Sequence, residues 1–150
     1  MKIIKDKQII ENSWQHIADD AQLVDGDITV SLTRWQQHAP ELENHQGKIG
    51  VRLAPNDSVE EFSGDLSKIS LVALEFPAFT DGRSFSQARL LRSRYDYRGE
   101  IRAIGSYMPD QVFYLSRVGV NSFELETPKE LETAFSTMND FTVNYQASTN

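Results

Sequence analysis

Short apolar runs separated by turn-forming residues occur along the whole chain. The segment "KIIKDKQII" carries two apolar pairs, Ile3-Ile4 and Ile9-Ile10, around a polar centre at Asp6. This pattern predicts a β-hairpin or edge ribbon at the N-terminus. Further strands are predicted over residues 27–32, 48–55, 69–79, 100–106 and 120–125.

The run "ISLVALEFPAF", residues 69–79, is almost entirely apolar over its first half. A strand that is covered on both faces has this composition, because neither face can carry polar side chains to water. We therefore expect this strand at the centre of the sheet.

Helix-start signals lie between the predicted strands. Ser84 with Gln87 three residues later forms a capping-box pattern, which predicts a helix to about Tyr95. Thr127, Pro128 and Glu130 predict the start of a last helix, with apolar Leu131, Ala134, Phe135 and Met138 on one face. Thr33 is predicted to cap a helix that breaks or restarts at Pro40, and a short helix is predicted to start at Asp57 or Ser58. A further helix is predicted over residues 111–119. The alternation of Phe141, Val143 and Tyr145 predicts a final edge strand.

Strands that alternate with helices are typical of βαβ units and a mainly parallel sheet. We expect a single α/β domain over residues 1–150, with an N-terminal hairpin or edge ribbon over 1–26, βα repeats over 27–146 and a tail over 147–150. Periodicity leaves open whether the sheet is open and flavodoxin-like or curled like half of a TIM barrel. In both folds, ligands bind beyond the carboxyl ends of the strands.

Composition narrows the classes of function. The net charge of -7 and the sequence pI of about 4.9 argue against nonspecific nucleic-acid binding, which needs a basic surface. The absence of cysteine excludes disulfides, thiolate nucleophiles and Cys-ligated metals. His16, His38 and His45 have no carboxylate at metal-ligand spacing, so no metal site is predicted. Neither a secretory leader nor a membrane span is apparent, and we expect a cytoplasmic protein.

Six of the nine arginines lie between Asp81 and Arg102. Two predicted loops, after the strands that end near Phe76 and Ile104, meet at one rim of the predicted sheet, where helix N-termini and arginines favour oxyanions. The predicted anion- or partner-binding residues are Asp81, Gly82, Arg83, Ser86, Arg89, Arg102, Gly105, Asp110 and Gln111.

Three interpretations of the arginines stay open: a structural ion-pair network, an anion or cofactor pocket, and a docking patch for an acidic partner. Arg92, Arg94 and Arg98 are best explained as partners of nearby acids. No nucleotide-binding fingerprint and no serine-hydrolase motif is present, so no cofactor is identified and no catalytic residue is assigned.

The strings "VRLAPND", "LVALEFPAFTDGRSFSQARLLRSRYDYRGEIRAIG" and "DQVFYLSRVGVNSFEL" resemble a bacterial family, number nine-three-four of the domains of unknown function. The resemblance runs from about Ile28 to Glu132. Members are commonly labelled as oxidoreductases of sulfite reduction, because their genes tend to lie beside that of assimilatory sulfite reductase.

The family's pattern comprises, in this sequence, Phe76, Pro77, Asp81, Gly82, Arg83, Ser86, Ala88, Arg89, Leu91, Arg92, Gly99, Glu100, Arg102, Gly105, Asp110, Gln111, Arg117 and Gly119. Two positions depart from it: the family often has Asp at Ser106 and Cys at Val118. The second departure makes a thiol-based reductase mechanism untenable for this chain.

These observations lead to three functional hypotheses. The first is an accessory protein of assimilatory sulfate/sulfite reduction that binds a small oxyanion or a partner, such as sulfite reductase or another sulfur-assimilation enzyme, through the Arg-rich loop and helix. The second is an oxidoreductase that uses flavin or NADPH in sulfite reduction. The third is a non-catalytic interaction domain whose arginines form internal ion pairs.

Overall fold

The computed structural model describes residues 1–77 and 82–149, and side chains up to residue 139. In this part of the chain, eight strands form one sheet. They are β1 (Lys2–Lys5), β2 (Gln8–Glu11), β3 (Gln15–His16), β4 (Ile28–Ser31), β5 (Ile49–Leu53), β6 (Leu71–Phe76), β7 (Glu100–Gly105) and β8 (Ser122–Phe123).

Helices connect the strands from β4 onward. They are α1 (Leu32–Glu43), a 3-10 helix (Val59–Lys68), α2 (Arg83–Arg89) with a π-helical turn (Leu90–Arg94) directly after it, a 3-10 turn (Pro109–Gln111), α3 (Val112–Arg117) and α4 (Pro128–Thr149). No helix in the described ranges combines the length and the apolar character needed to cross a bilayer.

The strand order is β2-β1-β8-β7-β6-β5-β4-β3, and it corrects the predicted fold. Strands β3 to β8 are parallel and follow one another in chain order, whereas β1 pairs antiparallel with both β2 and β8. The sheet is therefore mixed, and the flavodoxin-like alternative is wrong because a doubly wound sheet reverses its strand order. The predicted N-terminal hairpin is confirmed by the pairing of β1 with β2, and it extends the sheet through the pairing of β1 with β8.

The sheet is strongly curled into an α/β half-barrel. In a flat sheet the two edge strands, β2 and β3, would lie about 34 Å apart. The chain that joins them, from Glu11 to Gln15, can span at most about 14 Å. The edges must therefore approach each other, and they enclose a concave face.

The two faces of the sheet have different partners. Val72, Leu74 and Phe76 of β6 point to the main core, which the helices cover with residues such as Trp35 and Leu115. The residues between them, such as Leu71 and Ala73, point to the concave face and form a small apolar cluster with Ile104 and the part-buried Trp14. The apolar composition of β6 thus reflects burial on both faces.

Two predicted boundaries need correction. Ser31, not Thr33, caps α1, and its hydroxyl accepts a hydrogen bond from the backbone N–H of Arg34. The predicted final strand over Phe141–Tyr145 is wrong, because α4 continues from Pro128 to Thr149. Adding residues to an existing helix needs no new nucleation, whereas a new strand needs a sheet edge and a turn.

Candidate functional site

The first predicted loop leads into α2. Gly82 is the residue before the helix and Arg83 is its first residue, while Asp81 lies outside the described residues. The Arg83 guanidinium donates a hydrogen bond to the side-chain oxygen of Asn56, in the loop after β5. The start of α2 is therefore fixed to the neighbouring βα loop.

The predicted capping box at Ser84 is wrong. Ser84 and Gln87 are both buried within α2, and neither caps it. The Ser84 hydroxyl donates to the backbone oxygen of Glu75 at 3.3 Å. The Gln87 amide donates to the backbone oxygens of Ala54 and Asp57 at 2.9 and 3.0 Å. Both side chains hold α2 against the carboxyl ends of β5 and β6.

The second predicted loop begins beside the first. The backbone N–H of Ser106 donates to the oxygen of Phe76 at 2.7 Å, which joins the ends of β6 and β7. Gly105 has a φ of +95°, and a Cβ there would lie 2.5 Å from the Phe76 oxygen, so glycine is required. Asp110 is exposed, and the side-chain oxygen of Gln111 accepts a backbone N–H at the start of the 3-10 turn.

Arg102 is not at this rim, although the sequence placed it with Arg83 and Arg89. Its side chain is only 1% exposed and lies on the concave face of β7. Along one row of that face, Arg52, Ala73, Arg102 and Ser122 occupy neighbouring strands in register. The structure thus separates Arg102 from the arginines of α2, which cover the other face of the sheet.

The Arg102 guanidinium is fully engaged by polar partners. It donates to the Glu100 carboxylate at 2.7 and 3.1 Å and to the Glu124 carboxylate at 2.9 Å. It also donates to the Ser122 hydroxyl at 3.2 Å and to the side-chain oxygen of Asn12 at 2.8 Å. Such a satisfied arrangement stabilises a buried charge, and it leaves the guanidinium little capacity for a ligand.

Both carboxylates keep their charge in this environment. Burial pushes the pKa of Glu100 upward, but the hydrogen bond from Ser122 and the charge of Arg102 outweigh it, so the pKa is lowered. Burial also pushes the pKa of Glu124 upward, but the contacts with His16 and Arg102 outweigh it, so this pKa is lowered as well. The concave face therefore holds ionised groups that compensate each other.

A second set of contacts continues the network toward β3. His16 contacts the Glu124 carboxylate through Nε2 at 2.8 Å and the Thr29 hydroxyl through Nδ1 at 2.6 Å. Arg52 donates to that hydroxyl at 2.8 Å, and its Nε lies 3.9 Å from the Glu75 carboxylate. Because His16 belongs to an edge strand and Glu124 follows β8, their contact crosses the curled interior.

The order hydroxyl, imidazole, carboxylate in Thr29, His16 and Glu124 is the order of a nucleophilic triad. Two facts oppose that chemistry. The Thr29 residue is 0% exposed, so no substrate atom reaches its oxygen. That oxygen also accepts a hydrogen bond from Arg52, and the Glu124 carboxylate is shared with Arg102. The arrangement supports the curl of the sheet and offers no accessible nucleophile.

The sequence left an ion-pair network open as one interpretation of the arginines, and the pair of Arg102 with Glu100 confirms that part, but it did not place His16, Thr29 or Glu124 in the network. The sequence does contain a pattern that indicates this network, because charged residues alternate with apolar core residues along the strands. These charged residues are Arg52, Glu75, Glu100 and Arg102. Alternation places them on one face, but it does not say that the face is curled. Only the curl brings His16, whose role the sequence left unassigned, against Glu124.

A comparison with known protein families identifies the family to which this chain belongs. The profile of a family described as "Bacterial protein of unknown function (DUF934)" matches residues 50–150. The chain belongs to this family. No curated protein matches it.

The DUF934 match starts within β5 and includes the described parts of both predicted loops, α2 and the larger part of the concave network. Arg52, Glu75, Arg102 and Glu124 lie inside the matched range, whereas His16 lies outside it. The match therefore covers the whole Arg-rich segment.

Within this segment, Arg92 has a structural role. Its guanidinium donates to the backbone oxygens of Tyr97 and Gly99 at 2.7 and 2.8 Å and to that of Gly119 at 2.8 and 3.0 Å. Burial lowers the pKa of Arg92. The side chain thus joins the π-helical turn to the segments after it and after α3, and the predicted pairing of Arg92 with an acid is replaced by backbone contacts.

The arginines that remain at the surface lie on the outer side of α2 and the π-helical turn. Arg83, Ser86, Arg89, Leu90 and Arg94 are all exposed, at spacings that put them along one side of a helix. We call these five residues the arginine strip. Among the described residues, Arg89 has no hydrogen-bond or ion-pair partner, and Arg94 lies over the Tyr95 ring at 5.8 Å.

The strip combines cationic side chains with an apolar one, Leu90, which is 39% exposed. Arginine next to exposed apolar and aromatic groups is enriched where proteins bind other proteins. Arg98, by contrast, forms an exposed ion pair with Asp96 at 2.6 Å and lies outside the strip. The arginine strip is therefore the surface of the Arg-rich segment that is best suited to contact a partner.

Proposed function

We propose that this DUF934 protein is an accessory protein of assimilatory sulfate/sulfite reduction that binds an acidic partner through the arginine strip. The partner is sulfite reductase or another enzyme of sulfur assimilation. The observation that carries the proposal is the exposed strip itself, with Arg83, Arg89 and Arg94 on one helical surface of a chain whose net charge is -7.

Charge distribution supports this proposal. The net negative charge of an acidic protein repels most acidic partners. A local cationic strip therefore selects a partner surface of negative charge and sets the orientation in which that partner binds. Arg92 and Arg102 are committed to internal contacts, and they do not contribute to the strip. Arg89 has no hydrogen-bond or ion-pair partner among the described residues, and Arg94 contacts only the Tyr95 ring among them, so these two guanidinium groups are available to a partner.

The pathway is supported by the resemblance described above, since genes of this family tend to lie beside that of assimilatory sulfite reductase. A gene position supports a shared pathway more than a shared chemistry. The burial of Thr29 supports a binding role over catalysis on the concave face, because the hydroxyl of the triad-like arrangement is out of reach of a substrate.

The test is a pull-down of sulfite reductase with the wild-type protein and with an Arg89→Glu/Arg94→Glu variant. Wild-type protein should retain the reductase and the variant should lose it, because two cations become anions at exposed positions. Lys129→Glu, also exposed but on α4, is the matched control and should bind like the wild type. Equal retention by all three proteins, or by none, contradicts the proposal.

A thermal-shift series with sulfite, sulfate and phosphate separates the proposal from its alternative, an oxyanion ligand. A ligand that binds the folded state raises the melting temperature with its concentration. Anion-specific stabilisation that disappears in the Arg89→Glu/Arg94→Glu variant, without binding to the reductase, would favour the oxyanion. Binding to the reductase without such stabilisation supports the partner.

A further inference from the structure

A polar cavity of about 340 Å³ lies at the amino ends of the parallel strands. Several of its lining residues stand directly before a strand: Asp27 precedes β4, Lys48 precedes β5, Ser70 precedes β6 and Asn121 precedes β8. None of the five residues of the arginine strip lines it. The cavity is therefore at the end of the strands opposite to the two predicted loops, and it is separate from the proposed docking surface.

The size and the lining of this cavity suit a small polar ligand. Its volume is near the lower end of the range of about 300–1,000 Å³ found for small-molecule sites. Apart from Gly99 and Trp14, all lining residues have charged, hydroxyl or amide side chains. Three of them are cationic and three are acidic: Lys5, Lys48, Arg98, Asp6, Asp27 and Glu100. A lining with both signs of charge is complementary to a ligand that also carries both.

Two of the cations are already paired with carboxylates. The Lys5 ammonium lies 3.3 Å from the Glu100 carboxylate, which is itself 9% exposed. The Arg98 guanidinium lies 2.6 Å from the carboxylate of Asp96, which does not line the cavity. Lys48 is the lining cation that has no ion-pair partner among the described residues.

Lys48 and Asp27 are held side by side at the start of two paired strands. Ile28 of β4 stands opposite Ile49 of β5, so the residues before them are neighbours. The backbone N–H of Lys48 donates to Oδ1 of Asp27 at 3.1 Å. The two side chains form no ion pair with each other or with another described residue. The Lys48 ammonium thus keeps three donors, and Oδ2 of Asp27 keeps its acceptor sites.

An α-amino acid is complementary to this pair of charges, because it carries a carboxylate and an ammonium group on one carbon atom. Its carboxylate can accept hydrogen bonds from Lys48 while its ammonium group donates to Asp27. A simple anion would be repelled by Asp27, and a simple cation would be repelled by Lys48. The neighbouring opposite charges therefore favour a zwitterion over a ligand of one sign.

The other side of the cavity indicates the kind of side chain that the ligand carries. Asp6 lies there, and its carboxylate accepts a hydrogen bond from the Asn121 amide at 3.3 Å. Trp14 packs against the apolar cluster of the concave face and also lines the cavity. The small volume and these polar neighbours fit a short side chain with a hydroxyl or amide group.

We propose that this cavity binds a small polar α-amino acid, whose carboxylate contacts Lys48 and whose ammonium group contacts Asp27. The proposal is independent of the proposed function, since the cavity and the arginine strip share no residue.

Titration calorimetry with L-serine as the probe tests the ligand class. Ethanolamine is L-serine without its carboxylate, and 3-hydroxypropionate is L-serine without its ammonium group. The wild-type protein should bind L-serine, and it should bind each analogue at least about tenfold more weakly, because each analogue leaves one charge of the site unpaired. No binding of L-serine, or equal binding of either analogue, contradicts the proposal.

Variants of the two charged residues test the location. Lys48→Gln and Asp27→Asn should each weaken L-serine binding by about tenfold. Asparagine at position 27 keeps an oxygen for the Lys48 backbone N–H, so this variant retains the local structure. Lys129→Gln, exposed on α4 and away from the cavity, is the matched control and should bind like the wild type. Circular dichroism verifies that each variant is folded, and an unchanged affinity in both cavity variants would overturn the proposal.

Discussion

Arg102 and Arg98 belong to the same stretch of chain but to different environments. The Arg102 side chain is 1% exposed and bonds to two carboxylates, whereas Arg98 is 84% exposed and pairs with one. Arg98 lies between Tyr97 and Gly99 before β7, whereas Arg102 lies between Ile101 and Ala103 within that strand. Burial distinguishes them, and it depends on the strand face and on the curl of the sheet.

Replacing Arg102 by Met should destabilise the fold by about 3–5 kcal/mol, because Glu100 and Glu124 would remain as buried charges without their shared partner. Urea unfolding measures the free energy of unfolding. Arg98→Met, which removes an exposed ion pair, should change that free energy little. An Arg102→Met protein as stable as the wild type would show that the network does not support the fold.

The lowered pKa values of Glu100 and Glu124 predict an acid-sensitive fold. Below the ordinary glutamate pKa of about 4.3, the unfolded chain takes up protons that the folded carboxylates still resist. The free energy of unfolding should therefore fall as pH decreases from about 5 through that value and through the lowered folded values. Urea unfolding at each pH checks this, and Glu124→Gln should flatten the dependence; an unchanged slope contradicts it.

At the scale of elements, the π-helical turn shows how one side chain sets the surface. Arg92 points inward to the backbone of Gly119, which leaves Arg89, Leu90 and Arg94 on the outside. π-helical turns are rare in proteins, and those that do occur are frequently found at functional sites. The geometry of the arginine strip therefore depends on the contacts of Arg92 with the backbone of Gly119.

Gly119→Ala should destabilise the protein by about 1–3 kcal/mol. Gly119 has a φ of +110°, and a Cβ there would lie 2.3 Å from Cγ of Arg92. The matched control is Gly64→Ala, whose Cβ would have no atom within 4 Å and whose φ is not in the left-handed region. Thermal unfolding followed by circular dichroism compares the variants, and equal losses of stability would contradict this role of Gly119.

Sequence patterns located most elements but not their ends. The strands around the apolar run of β6 and the helix beginning at Pro128 were evident, because burial and capping leave local signals. The capping box predicted at Ser84 was wrong, because in this structure the Ser84 side chain is buried and donates a hydrogen bond to the backbone of the preceding strand. The length of α4 was missed, because alternation of Phe141, Val143 and Tyr145 also fits a strand.

At the scale of the whole molecule, the strand order was beyond the reach of the sequence. Periodicity identifies parallel strands, but it is the short connection from Glu11 to Gln15 and the pairing of β1 with β8 that require a curled, mixed sheet. The curl of the sheet also changes which of the predicted site residues lie together. Arg83, Ser86 and Arg89 stay together on α2, whereas Arg102 belongs to the concave face.

The arginine strip is the docking surface that we propose for the partner. The measurement that tests it is the affinity of the protein for sulfite reductase over a series of salt concentrations, with wild type, Arg89→Glu and Lys129→Glu. We expect affinity to fall steeply with salt, because screening weakens contacts between exposed charges. Arg89→Glu should weaken binding by about tenfold and Lys129→Glu should not. Binding that ignores salt and Arg89→Glu, or no binding of the wild type at low salt, would contradict the account.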